Sequence, residues 1–534
     1  MKRAISGLLI LALCAGVLAG CKNDTADVYV PTGDALVMDD GQLAGAPEKT
    51  PSDQDLTLVY YPDVTLNPIA CTDITNRVLF SLLYQSLFVV DRGYNVAPML
   101  CGSYRISDDM QRYTFYLDPS ATYSDGSRVT AGDVVASLEA ARLSTYYSGR
   151  FTRIKEITLT EDGGIQIRTN TPMENLPILL DIPIIKESQL DSLRPVGSGP
   201  YYMDESGEKL VLRKRTDWWC SAEMTVTAEA IALAKAEDNP QIRDEFEFGE
   251  LDLVCANPAS DRYTDYRCDY ELWDSETGTF LYLGCNIAGA IFSNEQVRAA
   301  LTYAIDRETI AAENYRGFAR VASLPASPAS PYYSEVLASK YTYDGGVKLR
   351  QAVVEAGMNG KSLTLLVNAD DTMRTRIARS IGHALEEAGF KVTVKDVSGN
   401  TYRYALRNYE FDLYLGQTRL SANMDLTPFF SSKGAVNYGA LADAGLYALC
   451  AESMANIGNY YSLHQAVMND GRLCPILFSS YAVYATRGLL TDLTPARDNI
   501  FHYTLDKTMS DILLKETPAP EPKEPAPAET QPTT

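Results

Sequence analysis

SLTLLVNADDTMRTRIARSIGHALEEAGFKVTVKDV, residues 362–397, carries the pattern that decides the fold class. Leu363, Leu365, Leu366 and Val367 predict a strand over 362–367. Asp370 or Asp371 stands where a carboxylate can cap the free N–H groups of a helix start. Ile377, Ile381, Leu385 and Ala388 then recur at helical spacing, and Gly389 marks the stop. Residues 390–397 read as the next strand and 412–415 as another. Strand, helix, strand with short connections is a βαβ unit, which predicts an α/β fold with a partly parallel sheet.

Working outward, 56–61 reads as a strand, and 64–67 leads into Pro68. A helix is expected from Thr72, with Val78, Phe80, Leu82, Leu83 and Leu87 covering most of its surface, so it should be buried. Residues 112–117 alternate as a strand, and Ser124-Asp125-Gly126 supplies turn chemistry. Thr130 precedes Asp133 by three residues, a capping-box spacing that predicts a helix over 131–143, with Val134, Leu138 and Ala141 on one face. Residues 154–159 and 164–169 read as a hairpin. There is no internal repeat.

The ends have a different character. Lys2 and Arg3 precede an apolar run, 5–17, and then Leu18-Ala19-Gly20-Cys21. A basic start, an apolar stretch and small residues at a cut site describe an export signal over 1–20. The stretch falls short of the ~20 residues that cross a bilayer as a helix. Leu-Ala-Gly-Cys resembles the bacterial lipobox, which makes Cys21 the lipidation site; more than one acyl chain there anchors a protein stably. Residues 21–54 are polar and aperiodic and read as a flexible tether. The segment 511–534, with Pro518, Pro520, Pro522, Pro525, Pro527 and Pro532, reads as a disordered tail.

Roughly 460 residues lie between the tails, enough for two or three domain-sized units. The chain is 46% hydrophobic, with 34 Tyr and 15 Phe, so a large core is easily built. Its formal charge is −22, and −24 once Lys2 and Arg3 leave with the signal. That surface repels nucleic acid and anionic lipid. Cys14 leaves with the signal, and Cys71, Cys101, Cys220, Cys255, Cys268, Cys285, Cys450 and Cys474 remain beside Cys21. No pair has C-x-x-C spacing. Buried thiols are the favoured reading, with Cys255–Cys268 the one bridge left open. Only His383, His464 and His502 offer imidazole ligands. No metal site and no cofactor are expected.

A set of motifs stands in order along the body. Asn67-Pro68 comes first, then Tyr113-Thr114-Phe115-Tyr116-Leu117, Tyr123-Ser124-Asp125-Gly126 and Val129-Thr130-Ala131-Gly132-Asp133-Val134. Gly197-Ser198-Gly199-Pro200-Tyr201 follows, then 213–219 and Gly249-Glu250-Leu251-Asp252-Leu253. Cys285-Asn286 and Val297-Arg298-Ala299-Ala300-Leu301-Thr302-Tyr303-Ala304-Ile305-Asp306-Arg307 complete it. Over 55–505 this order resembles the family 5 extracellular solute-binding proteins, the dipeptide, oligopeptide and nickel binders. The resemblance implies a two-lobe, type II periplasmic-binding-protein-like fold with a hinge, and no catalysis. It places lobe one at 55–284 with an inserted subdomain at about 88–190, lobe two at 285–477, and a return to lobe one over 478–510. Arg298, Asp306 and Arg307, read as lying on one helix, are expected to serve the scaffold.

The pocket region departs from the family pattern. Many peptide-binding relatives carry Gly-Trp-x-Ala-Asp-Tyr, whose aspartate holds the ligand amine; here 411–425 places Ala422 or Ser421 at that aspartate and Arg419 at the tryptophan. Arg419 is therefore a candidate partner for a ligand carboxylate, which a guanidinium binds through two parallel hydrogen bonds. An internal acid as its partner is the alternative that stays open. Asp425, Asn423, Asn67 and Asn286 complete the candidate ligand contacts.

The expectation is thus a lipid-anchored, extracytoplasmic, monomeric protein that captures a peptide-like solute for the permease of an ABC importer. A peptide-signal receptor and a binder of a non-peptide anionic solute or metal complex remain as alternatives. G-x-S-x-G and H-E-x-x-H are both missing, which disfavours an enzyme.

Overall fold

A computed structural model describes residues 56–224, 226–490 and 493–514. The expected signal 1–20, Cys21, the tether to residue 54 and the tail from 515 onward lie outside the described residues.

Seven strands organise the main sheet: β1 (Leu56–Tyr60), β2 (Leu253–Ala256), β3 (Glu271–Cys285), β4 (Ser362–Asn368), β5 (Lys391–Val397), β6 (Leu413–Arg419) and β7 (Leu473–Ala485). Their order is β5-β4-β6-β3-β7-β2-β1, continued by Ala230–Lys235, Val211–Lys214 and Tyr201–Asp204, with Ala319–Val321 added against β7. The βαβ unit is present as read. β4 and β5 pair in parallel from Ser362↔Lys391 to Asn368↔Val397, and helix Thr372–Glu387 crosses between them. Asp371 caps that helix by accepting from the Arg374 N–H at 2.9 Å. Ile377, Ile381 and Leu385 are buried against the sheet. Loss of this cap in Asp371→Ala should cost about 1 kcal/mol, read as a lower urea midpoint at unchanged m-value.

β3 and β7 join the two halves. The first part of β3 pairs with the end of β7, which also pairs with β2; the second part pairs with β6. Between them the register slips: Glu276 faces Ser480, the next matched pair is Thr279–Ser479, and Thr277 and Gly278 bulge out. Such a bulge bends a strand and sharpens its twist. Gly278 sits there at φ 70°, where a side chain is strained. Beyond the bulge β3 is buried on both faces. Phe280 and Tyr282 enter one core; Leu281 and Leu283 enter the core beneath helix Thr372–Glu387. A strand covered on both faces reads as a continuous apolar run rather than as alternation.

Cys101–Ile106, Arg112–Leu117, Ile165–Thr169 and Ile154–Leu159 form a separate antiparallel sheet, including the expected hairpin. Helix Ala131–Leu143 has the reciprocal Thr130/Asp133 box that its spacing predicts.

Three readings change. The helix expected from Thr72 divides into Ile74–Arg77 and Phe80–Leu83. At the end of the second piece the Leu83 carbonyl accepts from Gly199 N at 2.9 Å, and Cβ atoms on Gly197 or Gly199 would strike the carbonyls of Leu83 or Leu82. Those glycines serve a close approach of backbones, not a left-handed turn. Arg298 and Arg307 stand on two helices, Glu295–Ala300 and Arg307–Tyr315, because Ile305 is extended; Asp306 caps the second. The ordered chain runs past 511: Met509–Ile512 makes a capped turn, Ile512 is buried, and Leu514 N donates to Tyr104 O at 2.8 Å. The favoured reading of the cysteines holds: all eight described cysteines are free thiols, and Cys255 and Cys268 form no bridge.

Candidate functional site: the cleft between the lobes

A cavity of about 450 Å³ opens where the two halves of the sheet meet. One wall is the loop leaving β2, with Asn257, Ser260 and Asp261. The other is the end of β4 and the start of helix Thr372–Glu387, with Asn368, Asp370, Asp371 and Arg374. Thr277, Thr279, Ser479, Tyr481 and Gln417 form the floor. β2, β4 and β6 all deliver residues from their carboxyl ends, the place where open α/β sheets bind ligands. The volume falls within the ~300–1,000 Å³ of small-molecule sites. Most lining groups are amides and hydroxyls, which can both donate and accept. Arg374 is held by Asp371 at 2.7 Å, and Asp370 accepts from Gly399 N at 2.9 Å.

Beyond the floor, at the bulge end of the cleft, charges gather. Gln417 and Arg419 share one face of β6, so the strand leads from the cavity to Arg419. Arg419 pairs with Asp498, and its guanidinium lies 4.0 Å from the centre of the Tyr146 ring. Asp498 also takes Arg150 Nη2 at 2.8 Å and the Tyr146 hydroxyl at 2.5 Å, and Arg150 reaches Asp181 as well. Arg77 stacks on Tyr146 from 3.5 Å, and donates to Cys71 O and the Tyr147 hydroxyl, both at 2.9 Å. Burial alone would raise the Asp498 carboxyl, but Arg419, Arg150, Arg77 and Arg497 hold it well below the usual carboxylate range. Burial pushes Arg150 down to about 10 in spite of Asp498.

The five sequence-derived candidates do not converge. Arg419 lies at the cleft edge, with Asp498 as its acid. Asp425 is buried, accepts from Thr427 N at 2.9 Å and stands 3.6 Å from Arg153 Nε. Asn423 is buried beside it and donates to Met454 Sδ at 3.2 Å. Asn67 donates to Leu190 O and Ser192 O at 2.8 and 3.0 Å, and Asn286 to Phe411 O at 2.9 Å, so both pin loops. The Asp425 group marks a second bridge between halves. Arg153, beside the antiparallel sheet, donates to Thr427, and Glu174 N–H donates to Met454 O at 2.8 Å.

Asp498, Arg150, Arg77, Tyr146, Gln417 and Tyr481 escaped the sequence reading. Arg150 and Arg419 stand 348 and 79 residues from Asp498. No local spacing links residues so far apart.

Comparison with known proteins places the chain. The profile described as Bacterial extracellular solute-binding proteins, family 5 Middle, matches residues 95–438. The glutathione-binding protein GsiB of Escherichia coli O157:H7 is 24% identical over 412 residues, 74% of each chain. The ABC transporter substrate binding protein CtaP of Listeria monocytogenes aligns with a TM-score of 0.67 at 19% identity, covering 86% of this chain and 99% of its own. The oligopeptide-binding protein AppA of Bacillus subtilis, solved with a nonapeptide, aligns at 0.58 and 21% identity, covering 86% and 100%. The structural likenesses carry the two-lobe fold; the profile covers more than half of the chain. This chain belongs to family 5 of the bacterial extracellular solute-binding proteins.

Proposed function

We propose that the chain captures a peptide-like solute in the inter-lobe cleft and delivers it to the permease of an ABC importer, without catalysis and as a monomer. The observation that carries this is the cleft itself, a cavity at the carboxyl ends of β2, β4 and β6 lined by amides and hydroxyls. A peptide main chain offers alternating donors and acceptors, and Asn257, Thr277, Thr279, Asn368, Gln417 and Ser479 can meet both. GsiB, named for binding glutathione, and AppA, solved with a nonapeptide, support the ligand class by analogy. We place the hinge at the 276–279 bulge and the facing 479–482 segment, a few residues before the 284/285 boundary that the family resemblance implies. Lobe one then holds the four-stranded antiparallel sheet as its inserted subdomain.

Native mass spectrometry of the full-length chain tests the reading. A co-purifying mass that fragments as a short peptide is the expected result, since enclosure slows release. If the chain is free of solute, glutathione and di- to pentapeptides are screened by thermal unfolding, where a ligand at 100 times its Kd adds about 2.7 kcal/mol. Silence across that set would remove the peptide reading.

The same proposal places the chain on the extracytoplasmic membrane face, anchored through Cys21. An azide-bearing fatty acid fed to expressing cells should label the wild type. Cys21→Ser should lose the label and leave the membrane fraction; a labelled variant would refute the anchor.

A further inference from the structure

A second cavity, of about 140 Å³, lies behind the loop that leaves β2. It is enclosed by β1, β2, the short helix Ile74–Arg77, the helix Asn239–Glu247 and loop residues 257–266. Asn257 and Ser260 line both this cavity and the cleft, so the loop is the partition between them. Every residue around the cavity falls between 59 and 266, before β3. The cleft, in contrast, takes Asn368, Asp371 and Arg374 from the other half of the sheet. Binding in the second cavity therefore needs no closure of one half on the other. Its own side holds the loop in place: the Tyr266 ring packs 5.3 Å from Phe246 and 4.3 Å from Tyr484, and Arg243 Nη1 donates to Thr264 Oγ1 at 2.8 Å.

The lining has two parts. Val59, Val78, Ile242 and Leu253 are buried and make an apolar floor. Cys255 joins them, since burial pushes its thiol up and keeps it neutral. Arg243 and Arg262 stand at the rim, and among the described residues no Asp or Glu lines the cavity. In a chain of net charge −22 that sets the site apart from the surface around it. Arg243 has Asp244 beside it, with Nε donating at 3.0 Å, whereas Arg262 is exposed and makes no ion pair among the described residues. An apolar cavity of ~150 Å³ holds one benzene-sized group. A neutral apolar guest would leave the guanidinium edges unused, and a small inorganic anion would leave the floor bare. A guest that joins a phenyl-sized group to a carboxylate meets both.

We propose that this cavity is a binding site, separate from the cleft, for a small aromatic carboxylate. The ring lies on Val59, Val78, Ile242 and Leu253, and Arg262 and Arg243 hold the anion at the mouth. The site goes beyond solute capture in the cleft and does not rest on it.

The test uses the full-length chain and two probes of the same shape, para-fluorobenzoate and its neutral counterpart para-fluorobenzamide. Both are titrated at matched ionic strength and followed by fluorine NMR. The benzoate should bind wild type in the millimolar range or tighter, and the benzamide about tenfold more weakly. Arg262→Gln, at an exposed position that folding tolerates, should weaken the benzoate about threefold, the scale of one exposed ion pair; Arg262→Lys should weaken it less. The double variant Arg243→Gln/Arg262→Gln should bind acid and amide equally. Hydrogen exchange with and without the benzoate locates it: slowing is expected at 239–247 and 257–266, and none at 368–374. Absence of benzoate binding in the millimolar range, or equal wild-type affinity for acid and amide, would overturn the site. So would a preference for the acid that survives in the double variant. Slowing confined to 368–374 would place the benzoate in the cleft and overturn it as well.

Discussion

Asp498→Asn is expected to destabilise the fold by about 3–5 kcal/mol at neutral pH, the usual cost of leaving buried charges without their partner. The variant keeps the volume of the side chain but removes the one acid that Arg150 and Arg419 share. Its pH dependence is a sharper signature than its size. The folded carboxyl is held below its unfolded value of about 3.9. A depressed acid contributes stability that is fully present above the unfolded pKa and is lost as pH falls toward the folded pKa. The gap between wild type and variant should therefore be constant above about pH 5 and shrink progressively below pH 4. Urea unfolding at pH 7 and pH 3 measures both numbers. A gap that stays the same in acid would mean that Asp498 is not the charged partner of the arginines.

His464 should make the protein lose stability in a higher pH window. It is fully buried, with neither ring nitrogen hydrogen-bonded among the described residues and Tyr460 as its ring neighbour at 5.7 Å. Burial lowers its pKa to about 3. The unfolded chain binds this proton near pH 6.5 and the folded chain does not. Stability is therefore lost as pH drops below 6.5, at about 1.4 kcal/mol per unit and ~2 kcal/mol by pH 5. His502 shifts in the same direction, so both contribute to the wild-type slope. His464→Leu keeps an apolar side chain of similar size and should flatten the slope by the share that belongs to His464. Urea midpoints at pH 7, 6 and 5 report it; parallel curves for wild type and variant would show that His464 takes up a proton in the folded state.

These two groups mark where sequence reading stops. His464 sits at helical spacing in Tyr460–Asp470, and its apolar surroundings are legible locally. Nothing local shows that both ring nitrogens lack partners. Arg419 was legible as a charge at a place where relatives carry a tryptophan. Whether it serves a ligand or an acid depended on Asp498, which the fold delivers from the segment after β7. Asn67 and Asn286 were expected to flank the cleft, yet each uses its amide on a loop carbonyl. A side-chain amide has no local preference between those tasks.

The chain by itself determined its α/β class, the 362–397 unit, the Thr130 and Asp371 caps, the hairpin and the family order of motifs. All of these depend on neighbours within a few residues, through period and capping, or on a fixed order along the chain. Tertiary structure alone decided the close approach of Gly197 and Gly199 to the Leu82 and Leu83 carbonyls, the Thr277–Gly278 bulge and the sharing of Asp498 among arginines far apart in sequence. The physical reason is that backbone contact, desolvation and charge pairing depend on which distant segments are brought together, and no spacing along the chain records that.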